Sequence, residues 1–171
     1  MGDRSVTSGR WMTSKVVRRS TAVTIQVLAV LVLGLMCGSE LNVAAFGHPT
    51  LNHQPLDVHI PIRAAFAGLF GRVMPFWMAG STLLNILVLL PFERLSDSAW
   101  RLAAVALVIQ IIAIVFSLLA PVPINNQIVT WTPGSIPDNW MSLERRWDVY
   151  HWFRTWGLII AFALLVLSFE F

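Results

Sequence analysis

Four apolar stretches, about residues 22–46, 73–90, 102–120 and 153–169, leave this chain few ways to fold. Each is close to the ~17–25 residues that an α-helix needs to cross about 30 Å of hydrocarbon, where every backbone N–H and C=O must find its partner within the segment. Hydrophobic residues make up 56% of the 171 and charged residues only 12%, against roughly 25% charged in soluble domains. The expected fold class is therefore all-α, an integral membrane four-helix bundle. The first stretch follows Arg18 and Arg19, as a signal-peptide core would. It exceeds the ~7–15 residues of such a core and lacks a clean small-residue cleavage site, so it reads as a retained helix.

Charge then orients the bundle. Arg4, Arg10, Lys15, Arg18 and Arg19 precede the first span against the single acid Asp3, which by the positive-inside rule puts the N-terminus in the cytoplasm. The short link with Glu93, Arg94, Asp97 and Arg101 falls on the same side, as does the C-terminus. The expected organisation is a basic, mobile cytoplasmic tail over residues 1–20 and one transmembrane domain over 21–171. The expected setting is the cell inner (plasma) membrane, crossed several times, with a polar mouth on the far side. The sequence pI near 10.0 arises from that tail beside a membrane helix, so anionic headgroups explain it and nucleic acid is not an expected partner. Cys37 is the lone cysteine and lies within the first span, which excludes a disulfide framework.

An even number of spans between them brings the first and third links to one face of the bilayer, and all four histidines lie in those two segments: His48, His53 and His59 in one, His151 in the other. These are the residues suited to proton transfer or metal ligation near neutral pH. The first link contains Pro49, Pro55 and Pro61, then turns helix-compatible from Ile62, as a short interfacial helix or an early start of the second span. Past Pro121-Val122-Pro123, a Gly/Pro/Ser/Asp cluster over residues 133–139 marks a loop. From Trp140 helix-formers run unbroken into the last span, so that helix starts outside the bilayer and places Glu144, Trp147, His151 and Arg154 on one face.

Glu40, with Ser39 and Asn42, sits near the end of the first span. A carboxylate there must be paired, protonated or wet, which makes it a functional-site candidate; Arg63, Arg72 and Arg154 are the available partners, and a buried structural salt bridge is the plain alternative. His48 lies about two turns beyond Glu40, immediately before Pro49. Trp147, His151 and Arg154 form the strongest local set, with Glu144 and Asp148 in reach of His151, whose tautomer a carboxylate would fix, or of the arginines; an interfacial aromatic belt would explain the tryptophans alone. Asn125 and Asn126 follow a proline-broken helix end, where they cap the loop or offer amides to a substrate carbonyl. Gln26, Asn85 and Gln110 read as hydrogen bonders between helices.

The run Val122-Pro123-Ile124-Asn125-Asn126, followed by Arg146-Trp147-Asp148-Val149-Tyr150-His151-Trp152-Phe153-Arg154-Thr155, resembles the anthrone-oxygenase-like family of small four-helix membrane proteins. The first half agrees more loosely, through Glu40-Leu41-Asn42, Phe46 with His48-Pro49, and Arg72-Val73-Met74-Pro75. The resemblance implies oxidation of anthrones to anthraquinones by dioxygen without a dedicated cofactor. His151 would be the general base, Arg154 and Asn125 would stabilise the oxyanion, and His48 and Glu40 would join them. Asn125, Asn126, Trp147 and Asn42 are the expected substrate-binding residues. A second reading has copper or another transition metal on His48, His59 and His151; a third is a non-catalytic membrane binder or scaffold. Expected partners are the bilayer, a small hydrophobic substrate and dioxygen, with a homo-oligomer left open. His53 has no place in the pattern.

Overall fold

The computed structural model describes the backbone of residues 5–90 and 95–169, with side chains from residue 16 onward. Asp3, Arg4, Glu93 and Arg94, and the side chains of Arg10 and Lys15, lie outside the described residues. Among those described, the elements are helices joined by turns and by a loop over residues 129–139. Helix α1 spans Ser5–Asn42 and continues through a π-helical turn, Val43–Gly47, into the short α2, His48–Leu51. Then come α3 (Leu56–Leu89), α4 (Asp97–Leu119), the short α5 (Pro121–Ile128) and α6 (Trp140–Leu167). Four of these helices are long and apolar enough to cross a membrane, and large side chains such as Leu35, Phe76, Leu119 and Phe153 cover their outer faces. The protein is a multi-pass membrane helical bundle.

The helices run further than the apolar stretches. The expected tail is helical from Ser5, because a nucleated helix propagates cheaply through residues that contain no proline. The second span likewise begins at Leu56, absorbing Pro61 near its start. The last helix starts at Trp140, as its composition indicates. Local chemistry sets the ends: Ser96 caps α4 by accepting a hydrogen bond from the Ala99 N–H at 3.1 Å, and Thr132 and Ser135 bond across Pro133-Gly134 to close the loop before α6.

Small residues let the helices approach closely where hydrophobicity offers no preference between lipid and protein. Ala29, Ala103, Ala106 and Ala161 are buried with Leu33, Met36, Leu158 and Leu165 in one core. At Gly34 an added Cβ would lie 2.9 Å from the Phe162 ring, the tightest α1–α6 approach at any described glycine. Trp77 donates its indole N–H to the Val32 carbonyl at 3.0 Å, tying α3 to α1. Of the three expected interhelical amides, Gln110 accepts from Ser81 at 3.2 Å, whereas buried Asn85 has no hydrogen-bond partner among the described residues. A second apolar cluster, with Ile60, Ile128, Trp131, Leu143 and Trp147, closes the end of the bundle where α2, α5 and the start of α6 meet.

Candidate functional site

The site begins with Pro49. It has no N–H to give to the Ala45 carbonyl, and its ring crowds that carbonyl, so the chain widens into the π turn, where the His48 N–H bonds to Val43 O. At about 100° per residue, Glu40 and His48 would stand about 80° apart on an uninterrupted α-helix. Taking up about one extra residue in the wide turn rotates His48 back onto the face of Glu40. Both side chains are buried and both line a cavity of about 160 Å³.

One wall of this cavity is polar, formed by Glu40, His48, Arg63, Asn125, Trp147, His151 and Arg154; the other is apolar, with Phe66, Phe70, Met74, Met78 and Ile114. Gly71, Pro75 and Ala79 of α3 and Leu118 of α4 line it too and are exposed on the outer surface of their helices. The cavity thus opens sideways between α3 and α4. Glu144, Trp147, His151 and Arg154 are all on the buried face of α6, as their spacing indicates.

Two ion-paired networks meet at Trp147. In the deeper one, Arg154 donates to Glu40 Oε2 from Nη2 at 2.6 Å and from Nε at 3.1 Å, and from Nη1 to Ser117 Oγ at 3.3 Å. Of the three arginines considered for Glu40, Arg154 is therefore the partner; Arg72 is exposed and bonds to the Gly68 carbonyl. His151 donates from Nε2 to the Glu40 carbonyl at 3.0 Å, while its Nδ1 lies 3.1 Å from Arg154 Nη2 and 3.2 Å from Glu40 Oε2. Both ring nitrogens are engaged by the protein, and so is the arginine fork.

The second network joins α2, α3 and α6. His48 Nδ1 donates to Asp148 Oδ1 at 2.8 Å, and Arg63 Nη2 donates to the same oxygen at 3.1 Å. His59 donates from Nδ1 to the Leu51 carbonyl at 2.9 Å and faces Glu144 Oε1 with Nε2 at 2.8 Å; Arg63 Nε is 3.5 Å from that carboxylate. A carboxylate on Nδ1 fixes the His48 tautomer with its lone pair on Nε2, and Nε2 has no hydrogen bond among the described residues. Trp147 is stacked on His151 (centroids 4.6 Å, 15°), touches the His48 ring at 4.6 Å and lies 4.8 Å from the Arg63 guanidinium carbon. Two donors of this wall, Arg63 Nη1 and Trp147 Nε1, are buried without an acceptor among the described residues, a condition that costs about 1–3 kcal/mol per group and more for a charged one.

Sequence model and chain agree across this region: that of the anthrone oxygenase family matches residues 64–164, more than half of the chain. The chain belongs to the anthrone oxygenase family. No curated protein and no solved structure matches it. The anthrone oxygenase match covers α4, α5, most of α3 and nearly all of α6, including Asn125, Trp147, His151 and Arg154, and leaves Glu40, His48, His59 and Arg63 to be placed by geometry.

Not every expected residue of this anthrone oxygenase family member reaches the cavity. Asn125 lines it, but Asn126 and Asn42 are exposed, because each lies one or two positions round its helix from the inward face. His53 is exposed as well. His48, His59 and His151 are not gathered as one ligand set. The nitrogens of His59 and His151 are engaged by the protein, and among the described residues no group of three or more His, Cys, Asp or Glu is placed to hold a metal. Sequence reasoning put Glu144 and Asp148 within reach of His151 or of the arginines; they pair with His59 and His48, and both face Arg63. The available signal was the Glu144–Asp148 spacing of four on a face shared with Trp147, opposite a first link carrying three histidines and Arg63.

Proposed function

We propose that this chain is a membrane-embedded oxidoreductase that uses dioxygen to oxidise a hydrophobic, anthrone-like aromatic substrate held in the cavity between α3 and α4. Family membership supports an oxygenase-like function. The observation that carries the residue assignment is the His48–Asp148 pair, whose free imidazole nitrogen belongs to a side chain on the wall of a largely apolar cavity. His48 takes the role of general base, in place of His151, whose nitrogens are committed. Arg154 and Glu40 neutralise each other and position His151 against Trp147. The Asn125 amide is available to a substrate oxygen.

Removal of one methylene proton of an anthrone by His48 leaves an anthranolate, whose electron pair spreads over the ring and the carbonyl oxygen. This carbanion reduces dioxygen by single-electron transfer, and recombination forms a C–O bond to a peroxide. The proton returns from His48 to the distal oxygen. Loss of the second methylene proton with cleavage of the O–O bond then gives the quinone carbonyl and water. Anthrone and one dioxygen become anthraquinone and one water, and no resident metal or organic cofactor is required. The expected setting is the inner (plasma) membrane with both termini cytoplasmic.

The test is oxygen uptake by the purified full chain in detergent with 1,8-dihydroxyanthrone. Wild type should consume one dioxygen per quinone formed, well above the spontaneous rate. His48→Gln should lose about 10²–10⁴-fold, the range of general-base catalysis. Wild-type turnover no faster than the spontaneous reaction would leave a non-catalytic binder.

A further inference from the structure

Arg63 Nη1 and Trp147 Nε1 are engaged by neither ion-paired network. Arg63 is 2% exposed and Trp147 8%, and both line the cavity. The other nitrogens of Arg63 face Asp148 and Glu144, so its third nitrogen is left over after both local carboxylates are served. Buried N–H groups in proteins are almost always paired. Two with no partner among the described residues, on cavity-lining side chains whose guanidinium carbon and ring centre are 4.8 Å apart, point to an acceptor that comes from outside the chain.

We propose that Arg63 Nη1 and Trp147 Nε1 form a two-donor cradle for a carbonyl or phenolate oxygen of the ligand. The inference rests on the reading above and deepens it. An oxygen seated there is an acceptor only, since both groups donate and neither can accept. The body of the ligand meets Phe66, Phe70 and Met74, an apolar surface suited to fused rings. The C–H acid of an anthrone lies across the central ring from the carbonyl, and the His48 ring lies 4.6 Å from the Trp147 ring between centroids, so a carbonyl on the cradle directs that carbon into the cavity that His48 lines. As His48 Nε2 takes that proton, the C–H bonding pair is delocalised through the fused rings onto the carbonyl oxygen, and the two donors meet the charge where it gathers. The charged arginine gives the cradle a preference for the enolate over the ketone.

Anthraquinone and anthracene share a ring system and differ in the carbonyl oxygens, so their affinities for the purified full chain isolate the cradle. Wild type should bind anthraquinone at least tenfold more tightly than anthracene. Trp147→Phe keeps an aromatic ring and removes the N–H; it should reduce that ratio about tenfold while anthracene affinity holds. Arg63→Gln should reduce it further and shows, by its elution as an unaggregated species, whether the fold survives. An anthraquinone preference that Trp147→Phe leaves intact overturns the cradle, as does equal binding of both probes by wild type, which would mean that the donors hold water only. Wild type that prefers anthraquinone but does not oxidise anthrones refutes the oxygenase reading and keeps the cradle. Turnover without the preference does the reverse.

Discussion

Replacing Arg154 by methionine strands the Glu40 carboxylate in the bundle with His151 Nδ1, 3.2 Å away, as its remaining charged or polar side-chain neighbour. In the wild type the pair is 2.6 Å apart at its closest, with Glu40 2% and Arg154 9% exposed. Breaking a buried pair from one side costs about 3–5 kcal/mol, chiefly the desolvation of the charge left behind. At roughly 2–4 °C per kcal/mol for a chain of this size, the melting temperature should fall by about 6–20 °C. The reverse change, Glu40→Leu, should cost at least as much, since a stranded carboxylate can take up a proton whereas a guanidinium cannot discharge. The double variant removes both charges and should melt above the sum of the single losses, with a coupling of about 1–3 kcal/mol. Thermal unfolding in detergent, followed by tryptophan fluorescence and far-UV circular dichroism, measures all four proteins. An Arg154→Met protein within about 2 °C of wild type, or strictly additive losses, would refute the argument that this pair is desolvated and mutually dependent.

Other consequences are open to measurement. Asp148→Asn replaces the carboxylate that orients His48 by a neutral amide, whose oxygen stays with Arg63 while its NH2 turns to His48 Nδ1 and selects the other tautomer, and should lower anthrone turnover about 100-fold or more while substrate affinity changes little; loss of affinity alone would mean that Asp148 only shapes the cavity. Gly34→Ala should be close to neutral in melting temperature, because a contact of 2.9 Å with the edge of the Phe162 ring offsets the helix gain of about 1 kcal/mol over glycine. Gly34→Leu should cost about 1–3 kcal/mol by overpacking, and a stable Gly34→Leu would show that α1 and α6 can separate there. Ala79→Trp, at the lateral opening, should raise KM for bulky substrates with kcat retained; an unchanged KM would place the entrance elsewhere. Turnover should persist after chelation, and stoichiometric copper or iron that disappears in the His48→Ala, His151→Ala double variant would sink the cofactor-free reaction.

The bundle was legible because apolar length dictates it, and the buried face of α6 because 3.6-residue periodicity places Glu144, Trp147, His151 and Arg154 in line. Arg154 was legible as one candidate partner of Glu40, by depth alone. The true partners of the histidines were not legible. Local spacing sets Asp148 beside His151, but helix packing gives it to His48, a hundred residues away. The π turn that swings His48 onto the Glu40 face answers a proline clash, and periodicity counted at 3.6 residues per turn cannot anticipate that rotation. Asn42 and Asn126 show the same limit in reverse, as polar residues beside the site whose helical phase turns them away.

The contacts that close the site have a bearing on how the protein is made. Glu40 bonds to residues 111 and 114 positions later in the chain, on the last of the four long helices. During synthesis the first helix enters the membrane before Arg154 exists, so its carboxylate must wait, protonated or held near water, until the final helix arrives. Insertion of α6 therefore brings Arg154 to the Glu40 carboxylate and sets His151 and Trp147 beside His48. A chain that lacks α6 carries a polar defect in α1, a mark by which membrane quality control distinguishes it from one in which α6 has docked.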